Sequence, residues 1–156
     1  MTERSVTHAT FVIERVYDAA PEKVFTACAD PAAKRRWFVE GEGWHIDKFE
    51  MDFRPGGIET SVFRFGDGPA GRNDTVYLDI VENRRIVSAY TMTIGGNRIS
   101  ASLATIEFEP AGAGTRLTYT EQGAFLDGHD NAAQREAGCR ELFEALAAEL
   151  GRQAVA

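Results

Sequence analysis

The chain has 156 residues, of which 44% are hydrophobic and 26% are charged, proportions typical of a folded globular protein. Its formal net charge of −7 argues against nucleic acid and anionic membrane surfaces as partners, because an acidic surface repels phosphate groups. The polar start, MTERSVTHAT, lacks the apolar segment of a signal peptide, and no apolar run approaches the ~20 residues of a membrane span. We therefore expect a cytoplasmic protein, one domain over residues 1–156 with a core over about 10–150, and reduced, buried thiols at Cys28 and Cys139.

The first predicted elements are one strand and two short helices. Residues 10–18 alternate apolar and polar side chains, which predicts a strand. Pro21 and Pro31 each open a short helix, PEKVFTACA and PAAKRRWF, because proline is favoured at the first helical position. Asp30 directly precedes the second helix and is its expected N-cap.

Six further strands are predicted between about residues 44 and 123. The separators between them are rich in glycine and too short to hold crossover helices, so consecutive strands should pair as antiparallel hairpins. Pro55 and Gly56 fit the central positions of a type II turn, since proline presets φ and glycine accepts a positive φ. The predicted strands are WHIDKFEMDF, IETSVFRF, DTVYLDIVE, RIVSAYTMTI, RISASLATIEFEP and TRLTYTEQG.

A long amphipathic helix is predicted from about Asn131 to Leu150, with Asp130 as its cap. Its apolar face comprises Cys139, Leu142, Phe143, Leu146 and Leu150. The residues expected on its charged, exposed face are Arg135, Glu136, Arg140, Glu141, Glu144 and Glu149. An antiparallel meander must bury one face, and only one long helix is available to cover it. The sequence therefore predicts an α+β fold in which a curved sheet grips one helix, with a cavity between them.

Several motifs in this order are typical of one protein family. They are P-E-K-V-F at 21–25, Asp30-Pro31 followed by Trp37, D-x-R-x-G-G at 52–57, Y-x-x-I followed by R-I-V at 77–87, and G-x-G-T-R-L-T at 112–118. Over about residues 10–150 the chain resembles the activator of heat-shock protein 90 ATPase homologue family of the START-like (SRPBCC) superfamily. The resemblance implies a helix-grip fold, with a seven-stranded antiparallel sheet around the C-terminal helix, two short helices after the first strand and an apolar cavity. It says less about function, because one fold hosts many activities.

One position departs from the pattern of that family. Its members often carry Gly-Trp at the start of the last helix, where this chain has Gly138-Cys139. A thiol in place of an indole leaves space between helix and sheet. Either Phe125 or Phe143 fills that space, or the cavity is larger or differently shaped.

Motifs for metal, nucleophilic and dinucleotide chemistry do not occur in the sequence. The histidines His8, His45 and His129 stand far apart, and there is no C-x-x-C. The stretch DGHDN at 127–131 does not match a calcium-binding loop and is better explained as the connection into the last helix. G-x-S-x-G is absent, and the glycines fall at predicted hairpin turns rather than as G-x-G-x-x-G between a strand and a helix. The sequence therefore predicts no metal and no cofactor, and it assigns no catalytic residue.

General acid–base chemistry inside the cavity is the enzymatic alternative. START-like enzymes include cyclases and dehydratases that use a few polar residues in an apolar cavity, where burial shifts the pKa of a carboxylic acid upward. The strand pattern leaves open whether such side chains face the solvent, which is the commoner outcome, so an enzyme is not the preferred interpretation. The candidates are Arg15, His45, Tyr77, Asp79, Tyr90, Tyr119 and Glu121.

Aromatic and sulfur-containing side chains come from nearly every predicted element. A pocket lined by aromatic rings with a few polar tips suits an apolar small molecule. Beside the predicted turn, Phe53 and Phe63 are expected to face the cavity, whereas Asp52 and Arg54 have the opposite parity and should face away and pair with neighbours. The preferred hypothesis is a hydrophobic or aromatic ligand bound by Trp37, Phe53, Phe63, Tyr77, Tyr90, Met92, Tyr119 and Phe143.

Two further functions are kept as alternatives. A cyclase, dehydratase or hydrolase would act in the same cavity. A co-chaperone that stimulates a heat-shock protein 90 type ATPase is implied by the family name, although eukaryotic activators carry a further N-terminal domain and only about ten residues precede the first predicted strand here. Both a monomer and a homodimer fit the sequence.

Overall fold

A computed structural model describes residues 3–155 and contains the predicted elements in the predicted order. Strand β1 starts at Val6 rather than at residue 10, and the last helix continues past Leu150. No helix in the described part of the chain is long and apolar enough to cross a membrane. The elements are β1 (Val6–Tyr17), α1 (Pro21–Ala29), α2 (Pro31–Phe38), β2 (Trp44–Met51), β3 (Ile58–Phe65), β4 (Gly71–Val81), β5 (Arg85–Ile94), β6 (Asn97–Ala111), β7 (Gly114–Leu126) and α3 (Ala132–Val155).

All seven strands form one antiparallel sheet in the order β1-β7-β6-β5-β4-β3-β2. Strands β2 to β7 pair in sequence through hairpins, and β1 closes onto β7 with Val6 opposite Leu126 and Tyr17 opposite Thr115. The sheet curves around α3, while α1 and α2 pack against that helix. This arrangement is the predicted helix-grip fold.

The core lies between the inner face of the sheet and the three helices. Ile13 on β1, Val24 on α1, Leu117 on β7 and Leu146 on α3 have no exposed surface. Burial of one such aliphatic side chain contributes about 1.5–3 kcal/mol to folding. The predicted cap of α2 is present, because the side chain of Asp30 accepts a hydrogen bond from the backbone N–H of Ala33 at 3.0 Å.

The turn between β2 and β3 has the predicted form. The N–H of Gly57 donates to the carbonyl oxygen of Arg54 at 2.7 Å, and Gly56 has a φ of 83°. The turn is also fastened to β4, since the N–H of Gly56 donates to the carbonyl of Tyr77 at 2.7 Å and the N–H of Tyr77 donates to the carbonyl of Gly57 at 3.0 Å. Asp52 and Arg54 form an exposed ion pair of 2.8 Å, as expected. The turn therefore fixes the backbone of one residue of the predicted site, Tyr77.

The cap of α3 differs from the prediction. The side-chain oxygen of Asn131 accepts a hydrogen bond from the backbone N–H of Gln134 at 2.9 Å, so Asn131 occupies the N-cap position. Asp130 accepts instead from the guanidinium of Arg135 at 2.8 Å. The aspartate is drawn away from the helix end because a buried cation lies within its reach.

The charged face of α3 also differs from the prediction at two positions. Arg135 and Glu149 were expected in solvent, but only 6% and 1% of their surfaces are exposed. Each is buried against an opposite charge on another element, Arg135 against Glu121 of β7 at 3.1 Å and Glu149 against Arg36 of α2 at 2.9 Å. Helical spacing cannot show such partners, because they come from elsewhere in the chain.

Candidate ligand-binding site

A cavity of about 490 Å³ lies between the sheet, α2 and α3. Strands β2 to β7 line one side, and α2, the first half of α3 and Cys28 of α1 line the other. Pockets that hold small molecules commonly have volumes of about 300–1,000 Å³. The exposed members of the lining mark its mouth, and they are Glu40, Trp44, Gln134, Gly138 and Glu141.

The register of the sheet explains which side chains reach the cavity. Side chains alternate between the two faces of a strand, so cross-strand partners point to the same side. Three neighbouring pairs on β4 and β5 all line the cavity, namely Asn73 with Met92, Thr75 with Tyr90, and Tyr77 with Ser88.

Seven of the eight residues that the sequence predicts for the binding site line this cavity: Trp37, Phe63, Tyr77, Tyr90, Met92, Tyr119 and Phe143. Phe53 does not belong to the lining, and the expectation for it is corrected. Its ring packs against Phe25 and Tyr77, with ring centroids 5.8 and 5.0 Å apart, in the core beside the cavity. Phe53 does face the interior, as its parity predicts, but the ring of Phe25 on α1 fills the space in front of it.

One polar cluster joins α2 to the wall of the cavity. Lys34 Nζ lies 2.8 Å from Glu59 Oε1 and 3.5 Å from the hydroxyl of Tyr77, and that hydroxyl also donates to Glu59. Burial lowers the pKa of Lys34, but the neighbouring Glu59 and Tyr77 outweigh it, and the pKa lies above its usual value. Burial raises the pKa of Tyr77. At neutral pH the cluster therefore holds an ammonium ion and an un-ionised phenol.

A second polar cluster is centred on Glu121, which has no exposed surface. Its carboxylate accepts hydrogen bonds from five side chains, which are Ser102 at 2.7 Å, Tyr90 at 2.8 Å, Tyr119 at 2.5 Å, Arg135 at 3.1 Å and, more weakly, the thiol of Cys139 at 3.7 Å. Burial raises the pKa of both tyrosines, Tyr90 and Tyr119, so they are un-ionised donors at neutral pH. The carboxylate is saturated and acts as a fixed anchor for the hydroxyl groups around it.

Arg135 completes the second cluster from the first turns of α3. Its guanidinium donates to the hydroxyl of Tyr90 at 2.8 Å, to Ser100 at 2.6 Å and to Asp130 at 2.8 Å, and it contacts Met92 Sδ at 3.7 Å. Burial lowers the pKa of Arg135, but Tyr90, Glu121 and Asp130 outweigh that effect and raise it. The guanidinium of Arg135 therefore holds four side chains in fixed positions, those of Tyr90, Ser100, Glu121 and Asp130.

The remaining acid–base candidates lie away from the cavity. Arg15 pairs with Glu144 at 2.8 Å, and Asp79 pairs with Arg85 at 2.6 Å, both on partly exposed surfaces. His45 is exposed on β2. Of the seven candidates, the structure brings together only the three tyrosines in the lining and Glu121 behind it.

Several residues of the site were missed by sequence reasoning: Lys34, Glu59, Asn73 and Arg135. Glu59 lies four residues before Phe63 on β3 and therefore shares its face of the strand. Alternation along β3 could have identified Glu59 as an inward-facing residue. Asn73 lies one residue before the predicted start of its strand, so strand alternation was not applied to it. Lys34 and Arg135 gave no signal, since each stands among charged residues of a helix.

The space beside Gly138-Cys139 remains part of the cavity, which both residues line. A Cβ atom added at Gly138 would find no other atom within 4 Å. Phe143 lines the same cavity, while Phe125 packs under the guanidinium of Arg135 at 5.5 Å. The departure from the Gly-Trp pattern therefore corresponds to open volume on one face of α3.

Both thiols are free and buried, as predicted, and both line the cavity. Burial raises the pKa of Cys28 and of Cys139 to about 12, so neither is a thiolate at neutral pH. Within residues 3–155, no three histidine, cysteine or acidic side chains come together in an arrangement that could hold a metal ion.

Solved structures of other proteins resemble this fold over most of the chain. The Mll3558 protein from Rhizobium loti is 56% identical, with a TM-score of 0.87, over 93% of this chain and 99% of that one. A protein from Rhizobium leguminosarum is 43% identical, with a TM-score of 0.93, over 97% of this chain and 99% of that one. DynU16, from the dynemicin biosynthetic locus, is 19% identical with a TM-score of 0.67, over 91% of this chain and 47% of that one, and shares the fold alone. No curated protein matches the chain.

The sequence also matches the model of a protein family. The model of the family described as activator of Hsp90 ATPase homolog 1-like protein matches residues 18–151. That span runs from the end of β1 through every later strand and most of α3, and so contains both polar clusters. The chain therefore belongs to the family of activator of Hsp90 ATPase homolog 1-like proteins, in the START-like superfamily.

Proposed function

We propose that this protein binds a hydrophobic or aromatic small molecule in the cavity between the sheet and α3. The observation that carries the proposal is a cavity of about 490 Å³ whose wall combines aromatic rings with hydrogen-bonding groups in fixed positions. Burial of one apolar group of a ligand is worth about 1.5–3 kcal/mol, so a few such contacts support micromolar affinity. The aromatic residues supply burial and shape, and the tyrosine hydroxyls orient the ligand.

The charges in the lining favour a neutral ligand over an anionic one. Among the described lining residues the cations are Lys34 and Arg135, and each already contacts a carboxylate, Glu59 at 2.8 Å and Glu121 at 3.1 Å. A ligand acid would have to compete with these buried pairs. A neutral molecule needs only to fill the volume and match the hydroxyl groups.

A matched pair of glycine substitutions on α3 tests this proposal. Gly138 lines the cavity and Gly151 is exposed outside it, yet an added Cβ meets no atom within 4 Å at either position. Gly138→Leu should place its side chain in the cavity, and Gly151→Leu should place its own in solvent. Because each replaces a helical glycine, both variants should fold at least as well as the native chain, with a gain of up to about 1 kcal/mol.

The measurement is the shift in melting temperature across a library of lipids, polyketides and aromatic compounds. We expect ligands that stabilise the native chain and the Gly151→Leu variant and that lose their effect on Gly138→Leu. A library that shifts neither protein, or hits that stabilise Gly138→Leu equally, would count against binding in this cavity.

Catalysis in the same cavity has less support. A carboxylate that acts as a general base needs a lone pair free to take a proton from the substrate, but Glu121 already accepts from five side chains, and Glu59 Oε1 accepts from Lys34 and Tyr77. Both carboxylates therefore position other groups.

The name of the family supports a second candidate, a partner that stimulates a chaperone ATPase. A coupled ATPase assay with the heat-shock protein 90 of the same organism tests this directly. We expect no stimulation, and a several-fold rise in ATP turnover would replace the ligand-binding proposal. Cytoplasmic location and oligomeric state stay predictions.

A further inference from the structure

One carboxylate oxygen in the wall of the cavity has no hydrogen-bond partner in the part of the chain that the structure describes. Glu59 lines the cavity from β3 and is only 2% exposed. The bonds from Lys34 and Tyr77 both end on its Oε1, which leaves Oε2 without a donor. Buried polar atoms in native proteins are nearly always hydrogen-bonded, and an unpaired charged group costs more than a neutral one. The free oxygen therefore marks a place where a ligand can supply the missing bond.

This oxygen of Glu59 is open to the cavity. The side-chain oxygens that are both unpartnered and fully enclosed, within residues 3–155, belong to Ser61 and Asn73. Oε2 of Glu59 is not one of them, so it keeps accessible surface. Glu59 lies directly opposite Thr75 of β4, and both residues line the cavity. The two bonds to the carboxylate do not come from Thr75, so Oε2 faces the open volume.

The other polar groups of the wall leave a ligand no hydrogen to accept from a tyrosine. The hydroxyls of Tyr77, Tyr90 and Tyr119 each give their single hydrogen to a carboxylate of the protein. These hydroxyls can therefore only accept from a ligand. The second carboxylate, Glu121, already accepts on both of its oxygens. A ligand that satisfies the wall must bring a donor, and Glu59 is the charged acceptor with a free position.

We propose that Glu59 determines specificity by accepting, through Oε2, a hydrogen bond from the hydroxyl group of a neutral phenolic ligand. This inference rests on the proposed ligand-binding function and narrows its ligand class. A neutral donor is favoured over a cation, because Lys34 at 2.8 Å already balances the charge of Glu59 and a second buried cation would be uncompensated.

The hydroxyl of a phenol suits this acceptor in strength as well as in charge. Hydrogen bonds to an ionised acceptor are about twice as strong as those between neutral groups, and a phenol donates more strongly than an aliphatic alcohol. Its ring also fits the aromatic lining. A phenol is nevertheless a much weaker acid than a carboxylic acid, so the proton stays on the ligand and Glu59 acts in binding.

Glutamine at this position should invert the preference of the site rather than abolish binding. In Glu59→Gln the donors Lys34 and Tyr77 hold the amide oxygen in the place of Oε1, which turns the amide NH2 toward the cavity. That group donates a hydrogen bond, whereas Oε2 accepts one. The variant should therefore favour a ligand that carries an acceptor.

Three naphthalenes measure this preference by equilibrium dialysis. 2-Naphthol donates a hydrogen bond, 2-acetylnaphthalene only accepts, and 2-methylnaphthalene does neither. The ratio of the dissociation constant for 2-acetylnaphthalene to that for 2-naphthol should fall about ten-fold or more from the native chain to Glu59→Gln. The ratio should stay the same within about two-fold in Thr75→Val, which removes the neighbouring hydroxyl opposite Glu59.

A double variant keeps the test informative if the single variant is unstable. Glu59→Gln leaves the ammonium of Lys34 without a counter-charge, which lowers stability. Lys34→Met combined with Glu59→Gln removes that charge, while Tyr77 still donates to the amide oxygen. The double variant should melt closer to the native temperature than Glu59→Gln does and should show the same inverted preference.

Equal ratios in the native chain and in both glutamine variants would overturn the role of Glu59 and leave the proposed ligand binding intact. So would a change in Thr75→Val as large as that in Glu59→Gln, because the hydroxyl of Thr75 would then recognise the ligand. Loss of 2-methylnaphthalene binding in both glutamine variants would mark Glu59 as purely structural. Failure of all three probes to bind the native chain overturns the assigned ligand class. Failure of the wider library in the Gly138→Leu comparison is the separate result that refutes the binding function itself.

Discussion

Arg135 is the charged residue whose role departs most from the helical pattern. Its neighbours on α3 are solvent-facing charges, and the spacing of apolar residues gives no sign that this side chain turns inward. It is buried because its partners Tyr90, Ser100 and Glu121 converge on it from three successive strands. Such a site depends on register between distant segments, which a linear pattern does not contain.

Substitution of Arg135 should therefore be costly. Arg135→Met leaves Glu121 with a buried charge and no cation, and the expected loss is about 3–5 kcal/mol of unfolding free energy. Adding Glu121→Gln should recover part of that loss, because the uncompensated charge is then gone. Urea denaturation of the two single variants and the double variant measures both effects.

An exposed pair on the same helix provides the control for that experiment. Arg140 and Glu136 form an i,i+4 ion pair at 2.7 Å, and Arg140 is exposed. Arg140→Met should cost no more than about 0.5 kcal/mol. A loss for Arg135→Met as small as that of Arg140→Met would show that the buried cluster does not stabilise the fold.

At the scale of elements, α3 is held at both ends by buried charges. Arg135 ties its first turns to the sheet, and Glu149 ties its last turns to α2 through Arg36. Hydrogen bonds from Arg36, together with those from Gln153 and Arg152, hold the pKa of Glu149 at about 2, below its ordinary 4.5. The second attachment should therefore depend on pH.

The sign of that dependence follows from linkage. Between about pH 4.5 and pH 2 the unfolded chain protonates Glu149 while the folded chain does not, so the unfolded state binds more protons and stability falls as the pH falls. The contribution is fully present above about pH 4.5. Glu149→Gln should be less stable than the native chain at pH 6 and should lose less stability between pH 6 and pH 3. Urea titrations at the two pH values measure this, with exposed Glu141→Gln as the control for loss of one negative charge.

The turn between β2 and β3 should be intolerant of a side chain at Gly57. A Cβ there would overlap the backbone carbonyl oxygen of Asp52, and backbone atoms cannot move aside as a side chain can. We expect Gly57→Ala to destabilise the fold by about 2–3 kcal/mol. Gly66→Ala is the control, since Gly66 has a φ of 56° but open space, and its expected cost is only about 1–2 kcal/mol.

Gly57→Ala should also weaken ligand binding in the cavity. The backbone of Tyr77 is hydrogen-bonded to the turn at Gly56 and Gly57, so a displaced turn moves one wall of the cavity. Thermal shifts by any confirmed ligand should shrink in Gly57→Ala and persist in Gly66→Ala. If ligands stabilise Gly57→Ala as much as the native chain, the turn does not determine the position of the cavity wall.

The elements of this fold could be predicted well because the signals that begin and end them are short, local sequence patterns. Glycine-rich separators and prolines at helix starts predicted the order, and the aromatic character of Phe63, Tyr90 and Tyr119 predicted that they line the cavity, as they do. Parity placed Phe53 on the inner side, but it could not show that Phe25 of α1 packs there and makes this position core rather than cavity lining. Buried charges could not be predicted, because burial of Glu59 or Arg135 is favourable only once a partner from another element is in place.

At the scale of the whole molecule, the two thiols report on access to the cavity. Cys28 and Cys139 line it, and burial raises the pKa of each to about 12. At pH 8 a thiol reagent such as dithionitrobenzoate should react slowly with the native protein and rapidly with both thiols after unfolding in urea. Rapid reaction of two thiols per folded chain would show that the cavity opens far more readily than its buried lining indicates.

The attachment of α3 at its two ends has a consequence for how this family diverges. Between Arg135 and Glu149, the helix presents Gly138, Glu141, Leu142 and Ala145 to the cavity, and these residues take no part in either ion pair. Mutations at these positions alter the shape of the cavity while the anchors of the helix stay unchanged. Ligand preference can therefore drift in small steps along one helical face, without each step first requiring a compensating gain in stability elsewhere.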